Sequence, residues 1–416
     1  MIRSFFLAFI LLVVTSLPSA AANNEAVAAE LTKMFEEGSA DTGSAGVNAQ
    51  FDLVRDYYAT RSNKPVWVRD NGPKSKAKAL LRELQTAAGH VLDPEDYNTD
   101  EIASLMTQTD PAELARLDML LSGAIFEFGT HLRNGQIGPS EPTAFNGVRL
   151  VRLNPAEYIA GAADAGNFLT YAVGILGQDK RYVRLQGKIS ELSRIKDSGR
   201  WPIIDPNAPI EFGDLRDILL LAGDLPYHDR EVESFKDETM LRAIRRYQDR
   251  HNIGVTGELD EATKAELAVS LSDRINQIRL NVERRRWQNL PLEDDHIYIN
   301  LADRTARLVI DGETAGFAEL VANENLAEIP TAYGTLKSVN KAGDKKELEI
   351  ELELAGPDGD DTKTINLELN TPLEFKATMQ VFITYITTWV SKDGRLHFAP
   401  DSYGRDEALG ALIHGR

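Results

Sequence analysis

The hydrophobic period of this chain changes once, near Leu290-Pro291, and that change restricts what it can fold into. Ahead of it, apolar residues recur at three- and four-residue steps. Leu80, Leu81, Leu84 and Ala88 form one such set, and Leu117, Leu120, Leu121, Ala124, Phe128 and Leu132 another. That spacing lines up one face of a helix. Beyond it the period is two: Ile297, Ile299 and Leu301, then Leu308 and Ile310, then Leu348, Ile350, Leu352 and Leu354, then Ile365, Leu367 and Leu369. Val381, Ile383 and Tyr385 make a further strand candidate, so the last third reads as β structure. With 416 residues there is room for two or three domains. The expected fold class is multidomain α+β, helical first and β-rich last.

Turn-forming residues divide the helical part. Asn71-Gly72-Pro73, Asp93-Pro94, Asn134-Gly135 and Gly138-Pro139 punctuate a helical domain expected over 51–205. Trp201-Pro202 and Asp205-Pro206-Asn207-Ala208-Pro209 close it. A smaller helical module is expected over 206–270. Leu215, Ile218, Leu219 and Ala222 face one way in its first helix, and Leu241, Ile244, Tyr247, Gln248 and His251 in its second. Asn252-Ile253-Gly254 stops the second helix, Gly257 follows, and Asp260 or Glu261 is placed to cap the third. Residues 271–292 read as a connecting helix carrying Ile275, Ile278 and Val282. Arg284, Arg285 and Arg286 near its end read as last-turn cations complementing the helix dipole. The β domain then takes 293–416.

The first 22 residues have the pattern of a secretory signal: Arg3, an apolar run from Phe5 to Leu17, Pro18, then Ser19, Ala20, Ala21 and Ala22. The run is too short for the roughly 20 residues that span a bilayer. The expectation is an exported, periplasmic chain with no membrane span after cleavage. Residues 23–50, rich in Ala, Asn, Gly and Ser, read as a linker with an amphipathic stretch around Leu31 and Phe35.

Composition narrows the chemistry. Asp and Glu number 64 against 46 Lys and Arg, a formal charge of −18 that argues against nucleic-acid binding. The absence of cysteine excludes disulfides, thiolate metal sites and a cysteine nucleophile. Neither the cluster Asp93, Glu95, Asp96 and Asp100 nor the cluster Asp358, Asp360 and Asp361 has calcium-loop spacing. The histidines show no zinc pairing. No cofactor or metal is expected.

Four stretches are more specific. Lys64-Pro65-Val66-Trp67-Val68 with Gly89-His90-Val91-Leu92-Asp93-Pro94-Glu95-Asp96-Tyr97 resembles the scaffold domain of large periplasmic L,D-transpeptidases. Arg245-Arg246-Tyr247-Gln248-Asp249-Arg250-His251 with Gly257-Glu258-Leu259-Asp260-Glu261-Ala262-Thr263 resembles the second half of their three-helix peptidoglycan-binding domain. The run from Arg274 to Arg284, with Trp287, is similar to the helix leading into their YkuD-type catalytic domain. Thr384 to Val390 and Phe398 to Asp406 resemble that domain's tail. The four lie in the family's order.

The resemblance implies acyl transfer on peptide stems by a cysteine within Ser-His-Gly-Cys-x-Arg. No such run exists here, and an acidic hairpin over 347–369 stands where the family holds a longer stretch. The resemblance therefore implies a degenerate, inactive transpeptidase-like protein that binds peptidoglycan or a cell-wall enzyme. The alternative is a divergent transpeptidase or hydrolase with a non-cysteine nucleophile. That route needs a base beside a serine, and His397 and His414 lie only in the tail region. By resemblance, a peptidoglycan groove would use Tyr247, Asp249, His251, Asn252, Gly257 and Thr263. Tyr247 and His251 are four apart on the face of Ile244, so core packing is the competing reading for both.

Overall fold

The computed structural model describes residues 24–38, 54–136, 153–174, 180–229, 232–288, 295–311, 313–321, 329, 332–342, 347–356, 359–371, 373 and 379–399. The signal segment 1–22, the Gly138-Pro139 and Leu290-Pro291 breakers, the tail from Pro400 and His414 lie outside them. The chain divides into two compact units. The first takes Met1–Leu84, Glu95–Phe126 and Pro155–Asp164, and the second Gln85–Pro94, Glu127–Asn154 and Ala165–Arg416. The N-terminal part is helical and the C-terminal part is a β-sheet. Among the described residues no helix is long and apolar enough to cross a membrane.

In the first unit, part of the segment read as a linker is a helix, α1 (Glu25–Glu37). Val27, Leu31 and Phe35 recur at every fourth position and are buried, and Phe35 meets the Tyr58 ring at 5.4 Å. That apolar face outweighs the leader-like composition around it. Val68–Arg69 (β1) and Gly72–Pro73 (β2) form a short antiparallel pair. The helix α2 (Ser75–Gln85) then buries Leu80, Leu81 and Leu84. It stops short of Ala88, which is exposed. The chain tightens into a 3₁₀ turn over Ala87–His90, so burial passes to Ala87 and His90 at three-residue steps.

A short helix, α3 (Thr99–Leu105), precedes α4 (Pro111–Asn134), which begins with proline at its first position; the Asp110 side chain accepts from the amides of Ala112 and Glu113. All six apolar residues expected on this helix are buried. Asp118 sits among them, fully buried. Its carboxylate accepts from the amides of Val66 (2.8 Å), Trp67 (2.5 Å) and Val68 (2.9 Å) and from the Tyr58 hydroxyl. The hydroxyls of Tyr58 and Ser122 are 2.7 Å apart, and Trp67 Nε1 donates to Ser122 Oγ. Helix α5 (Pro155–Asp164) completes the described part of this unit.

The second unit holds α6 (Phe168–Gly174), α7 (Lys180–Asp197), α8 (Phe212–Ala222), α9 (Glu238–Arg250), α10 (Glu261–Leu267) and α11 (Leu271–Gln288). Helices α7 and α11 share a core of Leu185, Leu192, Ile275, Ile278 and Val282 with Val91. The three arginines at the end of α11 are not solvated last-turn charges. Arg284, Arg285 and Arg286 are 7%, 8% and 3% exposed. Arg286 pairs with Glu283 at 3.0 Å and donates to Tyr182 Oη and to the carbonyl of His90. Burial of such cations is tolerated because each is tied to carboxylate, hydroxyl or carbonyl partners.

Burial, and then the charge of Arg286, lowers His90 to about 4. Gln186 Nε2 lies 3.1 Å from its Nδ1, which suits a neutral ring accepting there. Unfolded histidine protonates near 6.5, so between these values the unfolded chain binds the extra proton. Stability should therefore be full above about pH 6.5 and fall as pH drops toward 4. The loss assignable to His90 is up to roughly 3 kcal/mol. Urea unfolding at pH 4.5 and pH 7 should show this fall, and His90→Gln should reduce it.

The C-terminal sheet has seven strands in the order β5-β4-β3-β9-β6-β7-β8. These are β3 (His296–Asn300), β4 (Thr305–Ile310), β5 (Glu313–Glu319), β6 (Ala332–Ala342), β7 (Glu347–Gly356), β8 (Gly359–Glu368) and β9 (Gln380–Thr384). Neighbours run antiparallel except β3 and β9, which pair in parallel at the centre. Every residue of β3 is buried, as a central strand requires. Ile297, Ile299, Leu336, Ile350, Leu352, Ile365, Leu367, Val381 and Ile383 make the core. On the opposite face of β7, Glu349 is exposed. Glu351 accepts from Ser338 Oγ at 3.0 Å, and Glu353 pairs with Lys337 at 2.5 Å. A separate hairpin pairs β10 (Thr388–Val390) with β11 (Leu396–Phe398).

Candidate functional site

Helices α8, α9 and α10 enclose one core containing Leu215, Ile218, Leu219, Met240, Ile244, Tyr247 and Leu267. Asp237 caps α9 through the Thr239 amide, and Asp260, not Glu261, caps α10 through the Thr263 amide at 2.8 Å. Helix α8 ends at Gly223 in the left-handed conformation.

The six residues expected to frame a groove fall into two groups. Tyr247, His251, Gly257 and Thr263 are buried, whereas Asp249 and Asn252 are exposed. The amphipathic face of α9 accounts for the split, since Tyr247 and His251 follow Ile244 into the interior. The Tyr247 and His251 rings stack at 3.9 Å, and the other face of His251 stacks on Phe398 of β11 at 4.5 Å. A void of about 30 Å³ beside these rings has the size of a water molecule, not of a sugar ring. His251 Nδ1 lies 2.5 Å from Glu266 Oε1, which also accepts from Arg274 at 2.6 Å. Burial and the guanidiniums of Arg250 and Arg274 push His251 well below its ordinary pKa. It is a neutral ring donating to a carboxylate already neutralised by Arg274.

Gln248 organises the loop between α9 and α10, and no period or motif singles it out in this role. Its buried amide donates to Thr256 Oγ1, Glu258 O and Thr263 Oγ1 and accepts from the Gly257 amide at 2.8 Å. Gly257 holds φ +80, and a Cβ there would stand 2.9 Å from Arg245 Nε. Gly257→Ala should cost about 1 kcal/mol through backbone strain, with the arginine side chain moving aside. Chemical denaturation would read that loss. Asn252, at φ 57, occupies the left-handed region that asparagine tolerates.

The structure brings together segments that are far apart in sequence. Asn281 on α11 donates to Thr387 Oγ1 and accepts from the Thr387 amide at 2.8 Å. Asn300 at the end of β3 donates to the Ile386 carbonyl and accepts its amide, each at 3.0 Å. Arg284 also donates to Thr387 Oγ1. Two buried asparagines thus satisfy the backbone between β9 and β10 on both sides. Arg250 ties the hairpin to α8 and α9. It grips Asp224 through Nε (2.7 Å) and Nη2 (2.5 Å) and donates through Nη1 to the Leu396 carbonyl at 2.8 Å.

Residues 52–188 match the family model of the Scaffold domain. This domain is found in L,D-transpeptidases. No curated protein matches the chain.

One serine–histidine pair invites a catalytic reading. His397 Nε2 lies 3.2 Å from Ser391 Oγ. The geometry runs the wrong way for a nucleophile. The Ser391 hydroxyl donates within its own turn, where Asp393 Oδ1 and the Arg395 carbonyl accept. A hydroxyl has one proton, and while Ser391 donates it within this turn none is left for the His397 ring to take. The carboxylate orients the serine rather than the histidine, which inverts the order a triad needs. Among the described residues no cluster of three or more histidines or carboxylates is arranged to hold a metal.

Proposed function

We propose that this is an exported, L,D-transpeptidase-like protein of the cell envelope. In this reading it has no transpeptidase activity and binds peptidoglycan or an enzyme that acts on it. The observation that carries the reading is a Scaffold domain at 52–188 in a chain without cysteine. The family's reaction needs a thiolate to attack the stem amide, and in the serine–histidine pair described above the hydroxyl is engaged within its own turn, which supports the inactive reading. Within this reading, 206–270 is the peptidoglycan-binding-like module, 271–292 the connecting helix, and 293–416 a degenerate transpeptidase-like β domain. The exposed Asp249 and Asn252 flank the turn after α9 and are the groove residues available to a ligand. Tyr247, His251, Gly257 and Thr263 support that turn from beneath.

Mass spectrometry of muropeptides tests the inactivity. After incubation of the purified protein with sacculi, the expected profile equals that of a buffer control. New 3-3 cross-links or trimmed stems would favour the alternative, a working peptidoglycan enzyme with another nucleophile.

A further inference from the structure

An acidic protein has little reason to gather cations around a cavity, yet this one does. A cavity of about 280 Å³ in the second unit is lined by Arg181, Arg184, Arg285, Arg307 and Lys392, with Asp303 as the one acidic residue among the described lining residues. The chain as a whole carries −18. Four of the five cations are arginines, whose planar forks match carboxylate and phosphate oxygens in pairs.

The four arginines are held in place. Arg184 Nη1 donates to the Val390 carbonyl at 3.1 Å. The Arg181 and Arg285 guanidinium carbons lie 5.4 and 5.9 Å from the Tyr298 ring centre, and Arg285 Nη2 donates to Tyr298 Oη at 3.3 Å. Tyr298 is buried, and half-buried Trp389 makes another wall. Asp303 accepts from Thr305 Oγ1 at 2.6 Å and stands 4.0 Å from Arg307, so its charge is directed toward β4. Four elements far apart in sequence supply these groups, namely α7, the end of α11, the β3–β4 hairpin and β10 with the turn after it.

We infer that this cavity binds a small oxyanion, a di- or tricarboxylate or a phosphate compound, with its charged end among the arginines and its body against Tyr298 and Trp389. The volume corresponds to about nine waters at ~30 Å³ each. That admits a small acid or a head group. The inference is independent of wall binding, because its probes are small and soluble.

Isothermal titration calorimetry of the full chain with inorganic pyrophosphate and with citrate, at matched ionic strength, tests it and separates the two chemistries. Saturable one-site binding of at least one probe is expected, with none for glucose. The double variant Arg181→Gln/Lys392→Gln should weaken it about tenfold or more, from the loss of charge-assisted hydrogen bonds. Lys392→Gln alone, at an exposed position, should weaken it less and keeps the test valid if the double variant does not fold. Trp389→Phe should abolish any ligand-induced fluorescence change while calorimetric binding persists. Absence of binding by both probes, or equal affinity in the folded variants, would overturn the inference.

Discussion

Asp118→Ala should destabilise the first unit by about 4 kcal/mol or more. The carboxylate is fully buried and takes three successive backbone amides, Val66, Trp67 and Val68, together with the Tyr58 hydroxyl. Removing it leaves these donors buried without their acceptor. Each unsatisfied buried donor costs about 1–3 kcal/mol. Burial holds the Asp118 carboxyl above the usual carboxylate value even with these donors, so its retention reflects the donors it satisfies rather than a gain from burying charge. Asp118→Asn keeps one acceptor oxygen but turns an NH₂ toward donors, and it should recover only part of the loss. Urea unfolding followed by tryptophan fluorescence would measure both, since Trp67 lies in the network. A loss below about 1 kcal/mol for the alanine variant would mean that 66–68 is held by other contacts.

Arg250→Ala should cost the second unit about 3–5 kcal/mol, because it strands the Asp224 carboxylate and the Leu396 carbonyl in a buried place. Asp224 is 0% and Arg250 5% exposed. Asp224→Ala should cost a similar amount by leaving the guanidinium without its carboxylate. The double variant Arg250→Met/Asp224→Leu should recover much of either loss, since an apolar pair of similar volume owes no desolvation. The coupling energy from the cycle of Arg250→Ala, Asp224→Ala and their double-alanine variant reports the pair itself. Hydrogen exchange of the β10–β11 amides should accelerate in Arg250→Ala and return toward wild type in the apolar double variant. Near-additivity of the two single losses would show the pair to be uncoupled.

What was legible in the sequence follows from how far apart the interacting residues lie. The period of Leu117 to Leu132 is a property of one helix, and all six residues are buried as expected. The alternation of Ile350 and Leu352 against Glu349 and Glu351 likewise belongs to one strand. The three arginines of α11 were misread because dipole complementarity considers only their own helix. Beyond Glu283 and Asn281 on the same helix, their partners Tyr182, Thr387, Tyr298 and the carbonyl of His90 stand on other elements. Asp118 left a trace, an acid between Leu117 and Met119 on an apolar face, but the amides it serves lie some fifty positions upstream.

In the candidate groove, residue type and helical phase point to different faces. Tyr247 and His251 have the chemistry of a sugar platform and the helical phase of core residues, and the phase decided. Gln248 was legible as a helix residue and not as the polar centre of the turn, because its four partners close only when the loop folds back. The cation-lined cavity has no sequence signature, since α7, α11, β4 and the turn after β10 each contribute only one or two of its cations.

The most direct test of the central claim is co-sedimentation of the protein with purified sacculi at two salt concentrations. A variant carrying Asp249→Ala and Asn252→Gly would run beside it; glycine keeps the left-handed backbone at 252, and both positions are exposed. The account predicts that the protein pellets with sacculi, that binding persists at the higher salt where exposed charge is screened, and that the variant stays largely in the supernatant. Wild-type protein that remains soluble at both salts would contradict peptidoglycan binding and leave the enzyme partner as the reading.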